Sequence, residues 1–411
     1  MSESSMPPKP LCEIRAQFPG AAKFIYLDTS AHGLMPLGAR DAVMRYIDDC
    51  INEGGARATM RNTLDRVRTK FAHLIGASTN EIAIVKNVSE GINAILTALS
   101  WRPGDNAVLC TELEHPNAIY ALYNMRDRMG IDVRSVTPTR ELAVSADTIA
   151  SAIDARTRLV IVSTVAYATG GRTDIDALAE LCRKRNVLLL VDGAQSIGAL
   201  EFDVRKTPVD AMAVGASKYL CGPPGFGFLY VRRDRAEAMR PGSLARYGVD
   251  IGDAHESEHG GAAYSLMPGA RRFEGGSFNY AGANAIEVTL DLIGNVTVAA
   301  VEQHVLALAK QLASGLATLG LPLIGGCVSE LSHVVVVGPR APEGASQHLL
   351  GQLYNDLKSK GVRMSMRHGR LRFAPHFYNT AEDVDKALSL VSDCLASRSM
   401  RAATRPFHMD R

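Results

Sequence analysis

From Glu81 to Arg232 short apolar runs alternate with longer amphipathic ones, and this rhythm constrains the fold more than any other feature. The runs EIAIV (81–85), AVLC (107–110), RLVIVS (158–163), VLLLVD (187–192), DAMAV (210–214) and GFLYV (227–231) are bounded by polar residues or glycine. Strands covered on both faces read this way, because neither face meets water. Between the earlier runs, Ser89–Ser100, Pro116–Met129 and Asp174–Arg185 read as helices. Strand and helix in repetition predict an α/β fold, with an open, mostly parallel sheet flanked by helices. Ligands in such folds sit beyond the carboxyl ends of strands, so residues just after a strand carry most functional weight.

The character changes after about Val296. A long helix (Thr297–Leu319), the run HVVVVG, a helix near Ser346–Lys360, the pair GVRMS and RLRFA, and a last helix from Ala381 to about Ala396 predict a smaller α+β domain. At 411 residues the chain exceeds one small core. The expected division is a large domain over 24–295, a small one from 1–23 and 296–397, and a basic, frayed tail over 398–411. Pro241–Asn279 is glycine-rich and aperiodic, and is expected to form working loops.

Charge argues against several partners. The 45 basic and 43 acidic side chains nearly cancel, which gives no electrostatic reason to expect nucleic acid or an anionic membrane. The seven cysteines are scattered, odd in number and form no CxxC pair, which argues for a reducing compartment and against a cysteine-rich metal site. MSESSMPPKP contains no apolar run, and stretches such as Val187–Val191 are too short to span a bilayer. A soluble, cytoplasmic protein is expected.

Four local features carry chemistry. In VLLLVDGAQS, Asp192 ends a buried strand, where a carboxylate needs a partner. A protonated ring nitrogen would supply one, and Gln195 could donate to a ring oxygen; a helix cap is the plain alternative. In AVGASKYLCGPPGFGFLYV, Lys218 follows a strand and small residues, so its amine can reach the same rim with a lowered pKa, as a nucleophile for an aldehyde. In KNVSEGINAIL, Ser89 and Glu90 mark a helix start suited to a phosphate, or simply an N-cap. In CTELEHPNAIY, His115 follows a strand and could stack on a planar ring, although a lone histidine is more often structural.

In order, from YLDTSAHG near the start to RFAPHFYNTAEDVDKAL near the end, these motifs resemble the class V aminotransferase family of fold type I. The nearest branch is the one shared by cysteine desulfurases and isopenicillin N epimerase-like proteins. The resemblance implies a seven-stranded-type sheet, a smaller C-terminal domain and pyridoxal 5'-phosphate as cofactor. It implies that Lys218 holds the cofactor as a Schiff base and then shuttles the Cα proton. Asp192 would pair with the pyridine nitrogen, Gln195 would reach the ring oxygen, and His115 would cover the ring. Val88 through its amide, Ser89 and Ser217 would hold the phosphate. Ser277, in RFEGGSFN, would reach that phosphate across the interface of a homodimer. Arg372 would bind the carboxylate of a small amino-acid-like substrate through two parallel hydrogen bonds. Tyr167 and His376 are further candidates on the substrate side.

Two departures matter. Ser217 stands where the family usually has histidine or a large residue. GVRMSMRHGRLRF also lacks the cysteine that desulfurases carry before the carboxylate arginine. Cys221, close to Lys218, reads as structural. A persulfide-forming desulfurase is therefore not expected, and β-elimination of the C–S lyase type is, with aminotransfer or epimerisation as alternatives. A non-catalytic PLP-binding sensor would need a DNA-binding module for which there is no spare length. A dinucleotide binder would need a GxGxxG turn that EIAIVKNVSEG lacks. His255-Glu256-Ser257-Glu258-His259 matches the zinc motif HExxH but lies among glycines without a helical face, so no metal site is expected.

Overall fold

The computed structural model of the chain describes residues 11–252, 263–325, 331–340 and 344–403. Its centre is a seven-stranded sheet. The strands lie in the order Ile82–Val85, Gly227–Val231, Ala211–Gly215, Leu188–Asp192, Thr157–Ser163, Asn106–Leu109 and Asp132–Ser135. Gly227–Val231 runs antiparallel to both its neighbours, and the remaining pairs are parallel. All six apolar runs thus become strands of one sheet, each buried on both faces as the absence of alternation requires.

Helices cover both faces of the sheet, which separates two apolar cores, one holding Val160, Val191 and Phe228, the other Leu109, Ile161 and Leu190. On the second face Val88–Ala98 packs against Ala211–Gly215 so closely that a Cβ on Gly91 would lie 3.0 Å from that of Ala213. On the first, Phe71 of Arg57–Leu74 stacks on Phe228 at 3.9 Å and 3°.

A four-stranded antiparallel sheet follows, ordered Leu323–Ile324, Val335–Val337, Arg370–Phe373 and Ser365–Arg367. The helices Val298–Thr318, Gly344–Ser359 and Ala381–Ala403 share its core. The chain's beginning joins this part: Ile25–Tyr26 pairs parallel with Val362–Arg363, and Asp28 bridges to Ala374. Arg15 bonds Asp383 at 2.6 Å.

Several elements differ from expectation. Asp132–Ser135 is an edge strand that its polar residues conceal, since it is half exposed. The helices Leu37–Glu53 and Arg57–Leu74 were not expected, and the last helix continues to Ala403, into the segment expected to fray. Within Pro241–Asn279 the turn Gly269–Phe273 is not a loose loop, because Ala270, Phe273 and Glu274 are buried. There Glu274 pairs with the buried Arg68 at 2.8 Å and accepts the Ile84 amide at 2.9 Å. Among the described residues no single helix is long and apolar enough to cross a membrane.

Candidate active site

Leu188–Asp192 and Ala211–Gly215 are parallel neighbours, with Asp192 opposite Ala213. Their carboxyl ends therefore deliver Asp192 and, three residues past the second strand, Lys218 to one rim. Asp192 is buried and accepts the Ala194 amide at 2.9 Å. Burial pushes the Lys218 amine below the usual lysine range, Asp192 opposes the shift, and Arg372 and Arg367 add to it.

The backbone of this lysine is clamped. The Gly33 amide donates to the Ser217 carbonyl at 2.8 Å, and a Cβ on Gly33 would lie 2.0 Å from the Lys218 oxygen. Beside it Ser30 Oγ meets the Tyr219 hydroxyl at 2.7 Å, and Thr29 Oγ1 meets that of Tyr378 at 2.7 Å. The motif YLDTSAHG thus acts as a strap over the lysine turn.

Gln195 is buried; its Nε2 donates to the Ser30 carbonyl at 3.2 Å, while its Oε1 has no partner. His115 caps the helix Pro116–Met129, with Nδ1 accepting the Asn117 amide at 3.3 Å. That bond leaves the proton on Nε2 of a neutral ring. Burial and then the Lys218 charge lower the pKa of His115, against the pull of Asp192. The edge of its ring meets Tyr167 at 4.9 Å.

Arg372 is 1 % exposed, with Nε on Ser365 Oγ at 3.0 Å and Nη1 on the Tyr167 carbonyl at 2.5 Å. Its Nη2 lies 3.6 Å from Asp28 Oδ1, too long for a hydrogen bond, so both atoms remain unsatisfied. Val88 and Ser89 open their helix as expected, but the N-cap is Asn87, which accepts the Glu90 amide at 2.9 Å.

Two expected residues stand apart. Ser277 is exposed on the segment leading to Asn279, whose side chain reaches the Gly225 carbonyl at 3.3 Å. His376 is fully buried, its Nε2 on the Tyr219 carbonyl at 2.8 Å and its pKa pushed down to about 3 by burial. It buttresses the lysine turn from behind and does not line the cleft. Cys221 is likewise buried, with its thiol pushed well above the usual range. The HExxH segment lies outside the described residues, and among those described no cluster could hold a metal. A separate cavity of about 650 Å3, lined by His73, Arg172, Ser196, Asp203 and Arg205, includes none of the Lys218 site and mixes charges of both signs.

Four residues escaped the sequence reading. Glu114 is buried, accepting the Ser163 amide at 2.8 Å and its hydroxyl at 2.6 Å, and Ser163 is the register partner of Asp192. Burial pushes its carboxyl up to about 7, the bonds from Ser163 oppose this, and Asp192 adds to it. Asp28 belongs to the strap. Arg367 and His368 stand at the hairpin tip before Arg372, where His368 Nε2 meets the Tyr167 hydroxyl at 3.0 Å. A carboxylate directly before His115, and charge at a hairpin turn, were the available signals.

Comparison with known proteins shows the family and the fold. An aminotransferase of Bacillus subtilis, itself uncharacterized, is 29% identical over 383 residues, covering 92% of this chain and 97% of that one. A probable cysteine desulfurase of Methanothermobacter thermautotrophicus is 27% identical over 392 residues, covering 90% and 95%. Among solved structures, the apo cysteine desulfurase of Thermococcus onnurineus superposes with a TM-score of 0.81 at 23% identity, covering 96% and 100%. A cystine C–S lyase in complex with cysteine persulfide gives 0.82 at 24%, covering 92% and 99%. The family model "Aminotransferase class-V" matches residues 25–387, from the strand that opens the strap to the last helix. The chain therefore belongs to the class V aminotransferase family, and is an enzyme of pyridoxal-phosphate chemistry on the fold type I scaffold.

Proposed function

We propose that this enzyme holds pyridoxal phosphate on Lys218 and eliminates a β-substituent, bound through sulfur, from an amino-acid-like substrate. The observation that carries the reading is the pairing of a desolvated amine, Lys218, with a buried carboxylate, Asp192, at adjacent strand ends.

The residues fit the cofactor. Asp192 is an acceptor for the pyridine nitrogen, and the Gln195 amide is not saturated, since its Oε1 lacks a partner and its Nε2 uses one proton on Ser30. His115 offers a neutral ring, and the Val88 amide, Ser89 and Ser217 offer donors for the phosphate at a helix start. The exposure of Ser277 suits a contribution across a homodimer interface. When bound, the cofactor withdraws electrons from the substrate's Cα.

The protein's own residues supply binding and proton transfer. Arg372 Nη2, buried with no hydrogen-bond partner and 3.6 Å from Asp28 Oδ1, is placed to take an α-carboxylate oxygen. The Lys218 amine, neutral once displaced by substrate, takes the Cα proton. The charge of Asp192, from the neighbouring strand end, favours the protonated form of that amine. No cysteine lies in 361–373 to accept sulfur, which favours release of the β-substituent over persulfide formation. Epimerisation requires a base on the opposite face, and His376 is committed to a backbone carbonyl. Aminotransfer uses the same residues and is the second reading, in keeping with the name of the Bacillus relative. A cytoplasmic enzyme is the corresponding setting.

The purified protein should be yellow, be fixed by borohydride, and lose its absorbance as Lys218→Ala. Cysteine conjugates should yield pyruvate and ammonia without any keto acid added. Strict dependence on an added keto acid would replace elimination by aminotransfer.

A further inference from the structure

We propose that Arg367 reads a second acidic group on the substrate, so that the preferred amino acids carry a carboxylate or equivalent oxyanion at the far end of the side chain. This rests on the assignment of Lys218 and Arg372 above and names the substrate class for that site.

An ordinary amino acid has one carboxylate, and Arg372 is placed to take it. Arg367 is a second guanidinium on the same hairpin, and the register of Ser365 with Arg372 and of Arg367 with Arg370 puts it on the same face of the pair as Arg372. It ends the strand Ser365–Arg367 and is half-buried, and its Nη1 donates to the neighbouring Met366 carbonyl at 2.8 Å. Among the described residues no carboxylate lies within ion-pair distance of it. The turn that aims it is well fixed: His368 and Gly369 are left-handed at φ 48° and 73°, and His368 is bonded to Tyr167, whose ring meets His115. Arg370, its register partner, is anchored to the Pro339 carbonyl at 3.0 Å.

Half-buried on that shared face, Arg367 also bears electrostatically on Lys218, His115, Tyr167, Arg372 and Asp28. With Lys218 and Asp192 assigned to the cofactor, two guanidiniums, Arg367 and Arg372, remain on one face of the hairpin, with the Asp28 carboxylate 3.6 Å from Arg372. A substrate with a neutral side chain would further desolvate Arg367 and return nothing. An oxyanion there would complete the guanidinium with charge-assisted hydrogen bonds.

Calorimetric titration of the holoenzyme with unreactive acids tests this directly. Succinate and glutarate should bind about 10-fold or more tighter than butyrate and valerate, chains of the same lengths with one carboxylate. Arg367→Met should erase that difference and leave butyrate affinity within about twofold, and Arg367→Lys should retain part of it. Equal affinity for diacids and monoacids, or a difference that survives in Arg367→Met, overturns the proposal. Cofactor absorbance reports on Lys218 separately: a yellow protein indifferent to diacids defeats only this inference, whereas a colourless one defeats the underlying assignment.

Discussion

A Cβ on Gly33 would stand 2.0 Å from the carbonyl oxygen of Lys218, so the strap and the lysine turn can pack only with glycine at this position. Gly33→Ala must push the two apart. Overpacking of this kind costs about 1–3 kcal/mol, and here the displacement falls on the backbone of Lys218, the proposed cofactor lysine. We expect a lower urea midpoint together with weaker cofactor retention, read by equilibrium unfolding and by absorbance after dialysis. Normal stability with full colour would show that the strap yields.

Asp192→Asn keeps the size of the side chain and its bond from Ala194 but removes the charge. Asp192 opposes the lowering of the free Lys218 amine's pKa, so in the cofactor-free protein its loss should move that amine's titration to lower pH, read from the pH dependence of its labelling by an amine reagent. Turnover should fall on the order of 100-fold, as when a charge aimed at a reacting centre is deleted.

Glu114 makes stability depend on pH. Its carboxyl ionises near 4.5 in an ordinary setting and is pushed up to about 7 in the fold, chiefly by burial. Between these values the folded chain keeps a proton that the unfolded chain has released. This contribution is therefore complete below pH 4.5 and is lost as pH rises through 7, by on the order of 3 kcal/mol. Denaturant unfolding at pH 5 and pH 8 should show a smaller difference in Glu114→Gln than in the parent. An equal difference would assign the slope to other groups.

Arg372→Lys retains a cation but cannot keep Ser365 Oγ, the Tyr167 carbonyl and a substrate oxygen together. KM should rise about 10- to 100-fold, with a smaller loss in kcat, if the residue acts mainly in binding. A pure kcat effect would place it in the chemical step instead.

The central sheet was legible because buried strands admit little but apolar residues, so six of its seven strands stand out as short runs. The seventh, Asp132–Ser135, is an edge strand with polar side chains and carries no such mark. Lys218, Asp192 and His115 were legible for a related reason, since polar residues that follow apolar strands in an α/β sheet share one rim. Boundaries followed caps: Asp174 and Thr297 accept amides at the starts of their helices, and both were recognisable by residue type.

What the linear chain determined, then, is the local alternation that makes a two-sided sheet and the rim on which an amine and an acid must fall. Tertiary structure alone decided which residues from distant segments close on that rim. Gly33 lies more than 300 residues from Arg367 and Arg372, yet the strap and the hairpin come together near Lys218 because the start of the chain pairs with strands near its end. It also decided that His376 turns inward and that Glu114 binds Ser163, the register partner of Asp192. Such contacts arise from packing between elements, and no periodicity along the chain encodes them.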